Sequence, residues 1–158
     1  MKGFTLVELL VVIGIIVILM TAALVAINPF KQFAMANNAS RWSGVTTMMN
    51  ATTQRMVDKK GKLDFDSDPL TEPDTDCPGV GDDVPAALTI IGKDEYDLCA
   101  ILVPEYIGGL PRDPQQNTSP VTDCSSDYDT RYEISCTNGR ITIKAPDAQL
   151  SETITITR

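Results

Sequence analysis

The stretch that decides the fold stands at the beginning of the sequence and reads Met1-Lys2-Gly3-Phe4-Thr5-Leu6-Val7-Glu8-Leu9-Leu10. The 19 residues from Leu9 to Ile27 carry no formal charge, and all but Gly14 and Thr21 are strongly apolar or alanine. At about 1.5 Å per residue, a helix over this run nearly matches the roughly 30 Å hydrocarbon core of a bilayer. Because no comparable run follows Phe33, the sequence predicts one membrane segment followed by one water-soluble domain.

The composition restricts the function classes. A chain of 158 residues is long enough for one domain. Its 21 acidic and 13 basic residues give a net charge of −8, whereas a nucleic-acid-binding protein usually has a basic face, so no direct nucleic-acid binding is expected. The sequence contains no histidine, which removes the commonest general base and metal ligand. With no recognisable nucleophile–base pair or phosphate loop either, we expect a protein that is not an enzyme.

Two simpler explanations of the apolar run are a secretory signal peptide and a plain membrane anchor. A signal peptide has an apolar region of about 7–15 residues followed by small residues at a cleavage site. The run here is longer, and residues 28–33 (NPFKQF) contain no such site. An anchor fits the hydropathy, but Glu8 argues against both explanations. A carboxylate beside a membrane helix costs a few kcal/mol unless it finds a partner.

Glu8 gains a partner if the chain is cut between Gly3 and Phe4. The new terminus is then an ammonium group, and Glu8 is the only other charge before Lys31. In packed helices, the amine of one subunit could pair with Glu8 of its neighbour, and a slip in axial register would bury an unpaired charge. From the residues alone, a Glu8 that is simply solvated at the lipid interface remains an equal alternative.

The string from Gly3 to Glu8, followed by a long apolar helix, resembles the class III signal of type IV prepilins and type II secretion pseudopilins. The resemblance implies that a membrane-embedded prepilin peptidase cleaves after Gly3, that Phe4 becomes the N-methylated terminus, and that Glu8 serves filament assembly. It further implies a helical homo-oligomer built by an inner-membrane platform and its ATPase. The leader of residues 1–3 is short for the family. Lys2 favours a cytoplasmic N-terminus, with the soluble domain outside.

The helix is expected to continue beyond the membrane, from about Phe4 to Lys60. Pro29 should kink it because proline lacks a backbone donor, and Gly14 is a second weak point. Past Pro29, apolar residues recur every three or four positions, which predicts an amphipathic helix. That stripe comprises Met35, Ala39, Trp42, Val45, Met49, Thr52 and Met56, and the opposite side carries Asn38, Arg41, Asn50, Gln54 and Arg55.

The remaining residues predict a small α+β domain. Residues 61–87 are rich in proline and acidic residues and indicate an irregular connection, and a short helix is expected within 94–107. Three strands are expected at 132–136, 140–144 and 152–157, with Asn138-Gly139 as a hairpin turn. The predicted fold is a long N-terminal α-helix packed on a small antiparallel sheet of about three strands. Its parts are a removed leader (1–3), an apolar filament-core helix (4–28), an amphipathic helix (29–60) and a globular head (61–158).

Four cysteines, Cys77, Cys99, Cys124 and Cys136, lie in the part that is predicted to be outside the cytoplasm, where disulfides form. Four cysteines allow three pairings. The segment from Cys124 to Cys136 resembles the C-terminal disulfide loop of many pilins, which favours Cys124–Cys136 together with Cys77–Cys99. A zinc site is disfavoured because the chain has neither a Cys-x-x-Cys pair nor a histidine.

No cofactor is expected, although two acidic groups are weak calcium candidates. Asp64, Asp66 and Asp68 begin with the spacing of a calcium loop, but Pro69 stands where such a loop needs glycine, and no glutamate closes it. A solvated acidic loop explains this group better. The second group comprises Asp113, Asp123, Asp127 and Asp129.

The sequence therefore predicts a structural subunit of a type IV pilus or pilus-like filament, stored in the cytoplasmic membrane and assembled at the cell surface. One alternative is a pseudopilin of a type II secretion or DNA-uptake system, because the segment from Tyr106 to Pro114 resembles the corresponding segment of pseudopilin-like subunits. A membrane-anchored enzyme or binding protein is the third alternative. It would keep its activity without the N-terminal helix, whereas a filament subunit would lose polymerisation.

Overall fold

The computed structural model describes residues 3–59, 84–85, 87–116 and 119–158. The chain divides into two compact units, one ending at Ala36 and the other comprising Asn37–Arg158. A helical N-terminal part is followed by an antiparallel sheet, so the predicted α+β class is confirmed.

The first unit contains helix α1, Leu6–Ile27, and the beginning of helix α2, Pro29–Asp58. The two helices are separated at Asn28, whose backbone is left-handed with φ 48° and ψ 80°. The cause is local, because a proline lacks an amide donor and disfavours helical geometry in the residue before it. Gly14 lies within α1, which is helical on both sides of it.

The second unit contains an antiparallel sheet of four strands within the described residues, where three were predicted. The elements in chain order are β1 Thr89–Gly92, α3 Leu98–Leu102, β2 Asp129–Thr137, β3 Arg140–Ala145 and β4 Ile154–Thr157. The strand order in the sheet is β1-β2-β3-β4, and each strand pairs with the next. The predicted Asn138-Gly139 turn between β2 and β3 is confirmed, with positive φ at both residues.

The core of the second unit consists of one face of the sheet, one face of α2 and α3. Alternate residues along β2 and β3 point inward, and Ile134 pairs with Ile143 in the ladder between them. Helix α2 contributes Val45, Met48 and Met49, all buried. The predicted α2 stripe is therefore correct at Val45, Met49 and Thr52, whereas Met35, Ala39 and Trp42 are exposed.

The predicted polar side of α2 is wrong at Asn38, Arg41 and Arg55, which are buried. Each of these side chains has polar partners in the head. The amide of Asn38 donates to the backbone oxygen of Gln149, and the guanidinium of Arg55 donates to that of Ile101. Buried polar groups are tolerated when they are hydrogen-bonded, and hydropathy periodicity does not reveal such partners.

Arg41 and Asp113 form a fully buried ion pair with two contacts. Arg41 Nε lies 2.6 Å from Asp113 Oδ2, and Arg41 Nη2 lies 3.1 Å from Asp113 Oδ1. The guanidinium also donates to the side chains of Asn38 and Gln115, so its charge is fully solvated by protein. The pair ties the turn that contains Asp113 to α2.

The disulfide pairing predicted from the sequence is wrong, because Cys99 is bonded to Cys124, with their Cα atoms 5.4 Å apart. This bond excludes both Cys77–Cys99 and Cys124–Cys136. Cys136 is disulfide-bonded as well, while Cys77 lies outside the described residues.

Three side chains explain why Cys99 and Cys124 meet. The Lys93 ammonium donates to the backbone oxygen of Cys124 and to the Asp97 carboxylate, at 2.8 and 2.7 Å. The Tyr128 hydroxyl donates to the same carboxylate and accepts from the backbone amide of Cys99. This network joins the loop that carries Cys124 to the start of α3. Burial raises the pKa of Tyr128 well above its usual value, so its hydroxyl keeps its proton.

Gly44 of α2 lies against the buried ring of Tyr132. A Cβ atom at position 44 would lie 2.7 Å from the Tyr132 hydroxyl oxygen and 3.1 Å from its Cζ. That hydroxyl has no hydrogen-bond partner among the described residues. Burial, and secondarily the charge of Asp113, raises the pKa of Tyr132 to about 12.

We expect Gly44→Ala to destabilise the head. The methyl group would overlap a rigid, buried ring, and overpacking typically costs about 1–3 kcal/mol, against about 1 kcal/mol gained in helix propensity. In a Tyr132→Phe background the oxygen is absent, so the same substitution should cost less. Thermal unfolding of the four variants of this double-mutant cycle measures the difference. Equal costs in both backgrounds would refute the contact.

The same Tyr132→Phe variant also serves as a control for alkaline pH. A tyrosine with a folded-state pKa of about 12 and an unfolded value near 10 contributes stability below pH 10 that is lost between pH 10 and 12. The wild type should therefore lose more stability than Tyr132→Phe over this interval.

Candidate processing and assembly site

The candidate site comprises the residues that lead into α1. Gly3, Phe4 and Thr5 precede the helix and are all exposed, with 83% of Phe4 accessible. A Cβ atom at Gly3 would meet nothing within 4 Å. The fold of the chain itself therefore does not require glycine at this position, and any such requirement must come from a partner that binds the Gly3–Phe4 bond.

Thr5 and Glu8 form a capping box at the start of α1. The Thr5 hydroxyl oxygen accepts from the Glu8 amide at 3.3 Å. In return, Glu8 Oε2 accepts from the Thr5 amide at 2.9 Å and from the Thr5 hydroxyl at 2.7 Å. The box satisfies two amides that the first helical turn leaves unpaired, and a carboxylate is favoured at this positive end of the helix dipole.

The geometry places the Glu8 carboxylate one residue from the Gly3–Phe4 bond, because it contacts the amide of Thr5. If cleavage occurs there, the new ammonium on Phe4 would lie next in the chain to a group that already binds Glu8. The expectation from sequence was that Glu8 either pairs with a neighbouring subunit or is solvated, and Thr5 was missed as a partner. The signal was present, since threonine followed three residues later by glutamate is the capping-box pattern.

The second group of calcium candidates does not form a cluster. Asp113 is held by Arg41, and Asp123 accepts hydrogen bonds from Ser125 and Ser126, which lower its pKa to about 2. Among residues 3–59, 84–85, 87–116 and 119–158, no three cysteine or acidic side chains are placed to hold a metal ion. Asp64, Asp66 and Asp68 lie outside the described residues.

Helix α1 completes the site. Its stretch from Leu6 to Val25 is long and apolar enough to cross a membrane, and it is exposed in the single chain. The length and apolar composition of α1 fit apolar surroundings, and the carboxylate at its start is capped by Thr5.

Residues 1–24 match the prokaryotic N-terminal methylation motif. The matched segment contains the Gly3–Phe4 bond, Glu8 and most of α1. This methylation motif, together with the apolar helix, is consistent with a class III signal of the type IV pilin kind and with a membrane-anchored precursor. It supports a protein that is like a type IV pilin or a pseudopilin. Neither a curated protein nor a solved structure matches the chain.

We expect Thr5→Val to loosen the start of α1 and Thr5→Ser to preserve it. Valine keeps the shape of threonine but has no hydroxyl, so the Glu8 amide loses its acceptor, whereas serine retains it. Hydrogen exchange of the first-turn amides, measured in detergent micelles, should be faster in Thr5→Val than in Thr5→Ser or wild type. Equal exchange in all three would show that the capping box does not form.

Proposed function

We propose that the chain is the structural subunit of a type IV pilus or pilus-like extracellular filament. It would be stored in the cytoplasmic membrane, cut by a prepilin peptidase between Gly3 and Phe4 and methylated on Phe4. The observation that carries the proposal is the methylation motif over residues 1–24, which leads into a helix that is exposed on every side. Such a helix needs apolar surroundings, and a bilayer and a bundle of identical helices both provide them.

Glu8 has two successive partners in this proposal. In the stored precursor, its carboxylate is satisfied by Thr5 of the same chain. After cleavage, the Phe4 ammonium of an adjacent subunit becomes a second partner of opposite charge. A pair of this kind fixes the axial register of packed helices, because a shifted helix would leave both charges unpaired in a dry environment.

The head domain suits an external structural role. Its buried Asp113 carboxylate is paired with Arg41 of α2, and its Cys99–Cys124 bond requires an oxidising compartment such as the cell exterior. By closing this loop, the bond is expected to stabilise the head by about 3 kcal/mol, because it lowers the entropy of the unfolded chain. Assembly would use an inner-membrane platform with its ATPase. The N-terminal methylation motif belongs to a family of structural proteins, which supports a subunit without enzymatic activity.

A pseudopilin of a type II secretion or DNA-uptake system is the second candidate. The observation that favours it is the segment Pro111-Arg112-Asp113-Pro114, which is fixed to α2 by the buried pair between Asp113 and Arg41 and resembles a pseudopilin segment. Electron microscopy separates the two candidates, since a pilin forms long surface fibres and a pseudopilin forms short ones that stay with a secretion complex.

We expect Glu8→Ala to be cleaved and inserted in the membrane but to yield little or no surface fibre. The alanine variant keeps the helix apolar while removing the charge that pairs with the Phe4 amine. Glu8→Asp, which keeps a carboxylate on a shorter side chain, is the matched control and should retain part of the assembly. Sheared-fibre yield, normalised to mature protein in the membrane, measures the effect. A wild-type fibre yield from Glu8→Ala would refute the claim that the Glu8 carboxylate fixes the axial register of the packed helices.

Gly3→Val should block cleavage without disturbing the fold. The position has no neighbour within 4 Å, so only the peptidase would meet the new side chain. Gly14→Ala is the control, because it also lies in open space and should be cleaved normally. Intact masses of membrane and fibre protein give the result. Mature protein from Gly3→Val would refute the cleavage site.

The same measurement on the wild type tests the whole proposal. Protein from sheared fibres should lack Met1 to Gly3, carry one added methyl group and gain about 2 Da for each disulfide that is reduced. An unprocessed mass found only in membranes would make the chain an anchored domain, and the filament proposal would fall.

A further inference from the structure

Two aromatic side chains are exposed directly after α1. Phe30 is 84% and Phe33 is 70% accessible, and both belong to the same compact unit as α1. They stand three residues apart in α2, so they lie on one side of its first turns. Because the chain itself does not bury these two phenylalanine rings, their exposure to water is unfavourable, which indicates that an apolar environment outside the chain covers them.

The length of α1 places these rings relative to a bilayer. Its 22 residues extend about 33 Å, slightly more than the roughly 30 Å hydrocarbon core. A span that begins at Leu6 therefore ends near Ile27. Phe30 and Phe33 then fall just beyond the hydrocarbon, in the layer of headgroups.

The helix break marks the same boundary. Within hydrocarbon, every backbone polar group must be paired inside the protein, so an interruption belongs where water or headgroups are available. At Asn28 the backbone oxygen and the side-chain Oδ1 both accept from the Lys31 amide, at 3.1 and 3.3 Å. The backbone there is left-handed and no longer continues α1.

Lys31 is a further indication that the end of α1 lies at the membrane boundary. It is the first charged residue after Glu8, and it stands between the two phenylalanines. A lysine ammonium at the end of a membrane helix reaches for water and lipid phosphate, and interfacial segments combine basic residues with phenylalanine on an apolar side.

We propose that Phe30, Lys31 and Phe33 form an interfacial anchor that holds the end of α1 at the outer headgroup layer of the cytoplasmic membrane. The anchor rests on the membrane-stored precursor of the proposed function and does not depend on filament formation. Because α1 continues for 19 residues from Glu8 to Ile27, about 29 Å of helix rise, an anchor directly after α1 at the outer layer keeps Glu8 near the inner one. The anchor thereby sets the depth at which the Gly3–Phe4 bond is presented.

Tryptophan fluorescence can measure this depth in the full-length chain. Trp42 is the only tryptophan, so Trp42→Phe supplies a dark background, and its unfolding curve verifies that the head is intact. Four reporters are then made singly: Phe30→Trp and Phe33→Trp at the anchor, Ile16→Trp in the middle of α1, and Val57→Trp at an exposed apolar position near the end of α2. Each variant is reconstituted in vesicles of phosphatidylethanolamine and phosphatidylglycerol that contain lipids brominated either near the carbonyl groups or near the chain ends.

The anchor predicts that Phe30→Trp and Phe33→Trp lose more fluorescence to the shallow bromines than to the deep ones. Ile16→Trp should show the reverse order, and Val57→Trp should be quenched by neither. If Ile16→Trp is quenched while both anchor reporters are not, the anchor is overturned and membrane storage stands. Stronger quenching of the anchor reporters by deep bromines also overturns it, because the rings would then lie within the hydrocarbon.

Two further outcomes identify other causes of failure. If Ile16→Trp is not quenched, α1 does not enter the bilayer, and the membrane-stored precursor of the proposed function fails together with the anchor. If shallow quenching of the anchor reporters disappears as the protein-to-lipid ratio rises, a second copy of the chain covers the rings and the lipid assignment is wrong.

Discussion

The constraint on which this protein depends is that α1 has no buried side. Most core helices of soluble proteins have a polar face, but α1 is apolar around its whole circumference and lies exposed in the single chain. Its stability must therefore come from outside the chain. The capping box between Thr5 and Glu8 completes this design, because it satisfies the first turn locally and gives the Glu8 carboxylate hydrogen-bond donors at the start of the apolar helix.

Buried polar contacts join α2 to the rest of the second unit. Arg41, Asn38 and Arg55 lie on the inner side of α2 and bind acceptors that are distant in sequence, two of them in loops and one in α3. Apolar packing alone would tolerate a small rotation of α2, whereas a buried guanidinium that loses its carboxylate leaves a charge unsolvated. Rotation of α2 is therefore expected to cost more free energy at the Arg41–Asp113 pair than at its apolar contacts.

The elements that could be predicted from the sequence are those in which a single periodicity dominates. The continuous apolar run gave α1, and alternation with an Asn-Gly turn gave β2 and β3, because these patterns depend only on neighbours along the chain. Strand β1 was missed because its four residues, Thr89–Gly92, follow a proline-rich region and show no alternation.

The inner side of α2 was predicted wrongly for another reason, because the burial of Arg41 depends on Asp113, which is 72 residues away. The disulfide pairing depended likewise on how Lys93 and Tyr128 join distant loops. At the candidate site, the roles of Gly3, Phe4 and Glu8 remain predictions from the motif, whereas the capping box of Thr5 with Glu8 follows from local Thr-x-x-Glu spacing alone.

The Cys99–Cys124 bond has a mechanical consequence. The two residues are separated by 25 positions, which corresponds to about 80–90 Å of fully extended backbone. If tension unfolded the head, this contour length would be excluded from the extension, because the covalent bond carries the load past the enclosed segment. The bond therefore excludes this length from the extension of an unfolded head for as long as the surroundings keep the two sulfurs oxidised.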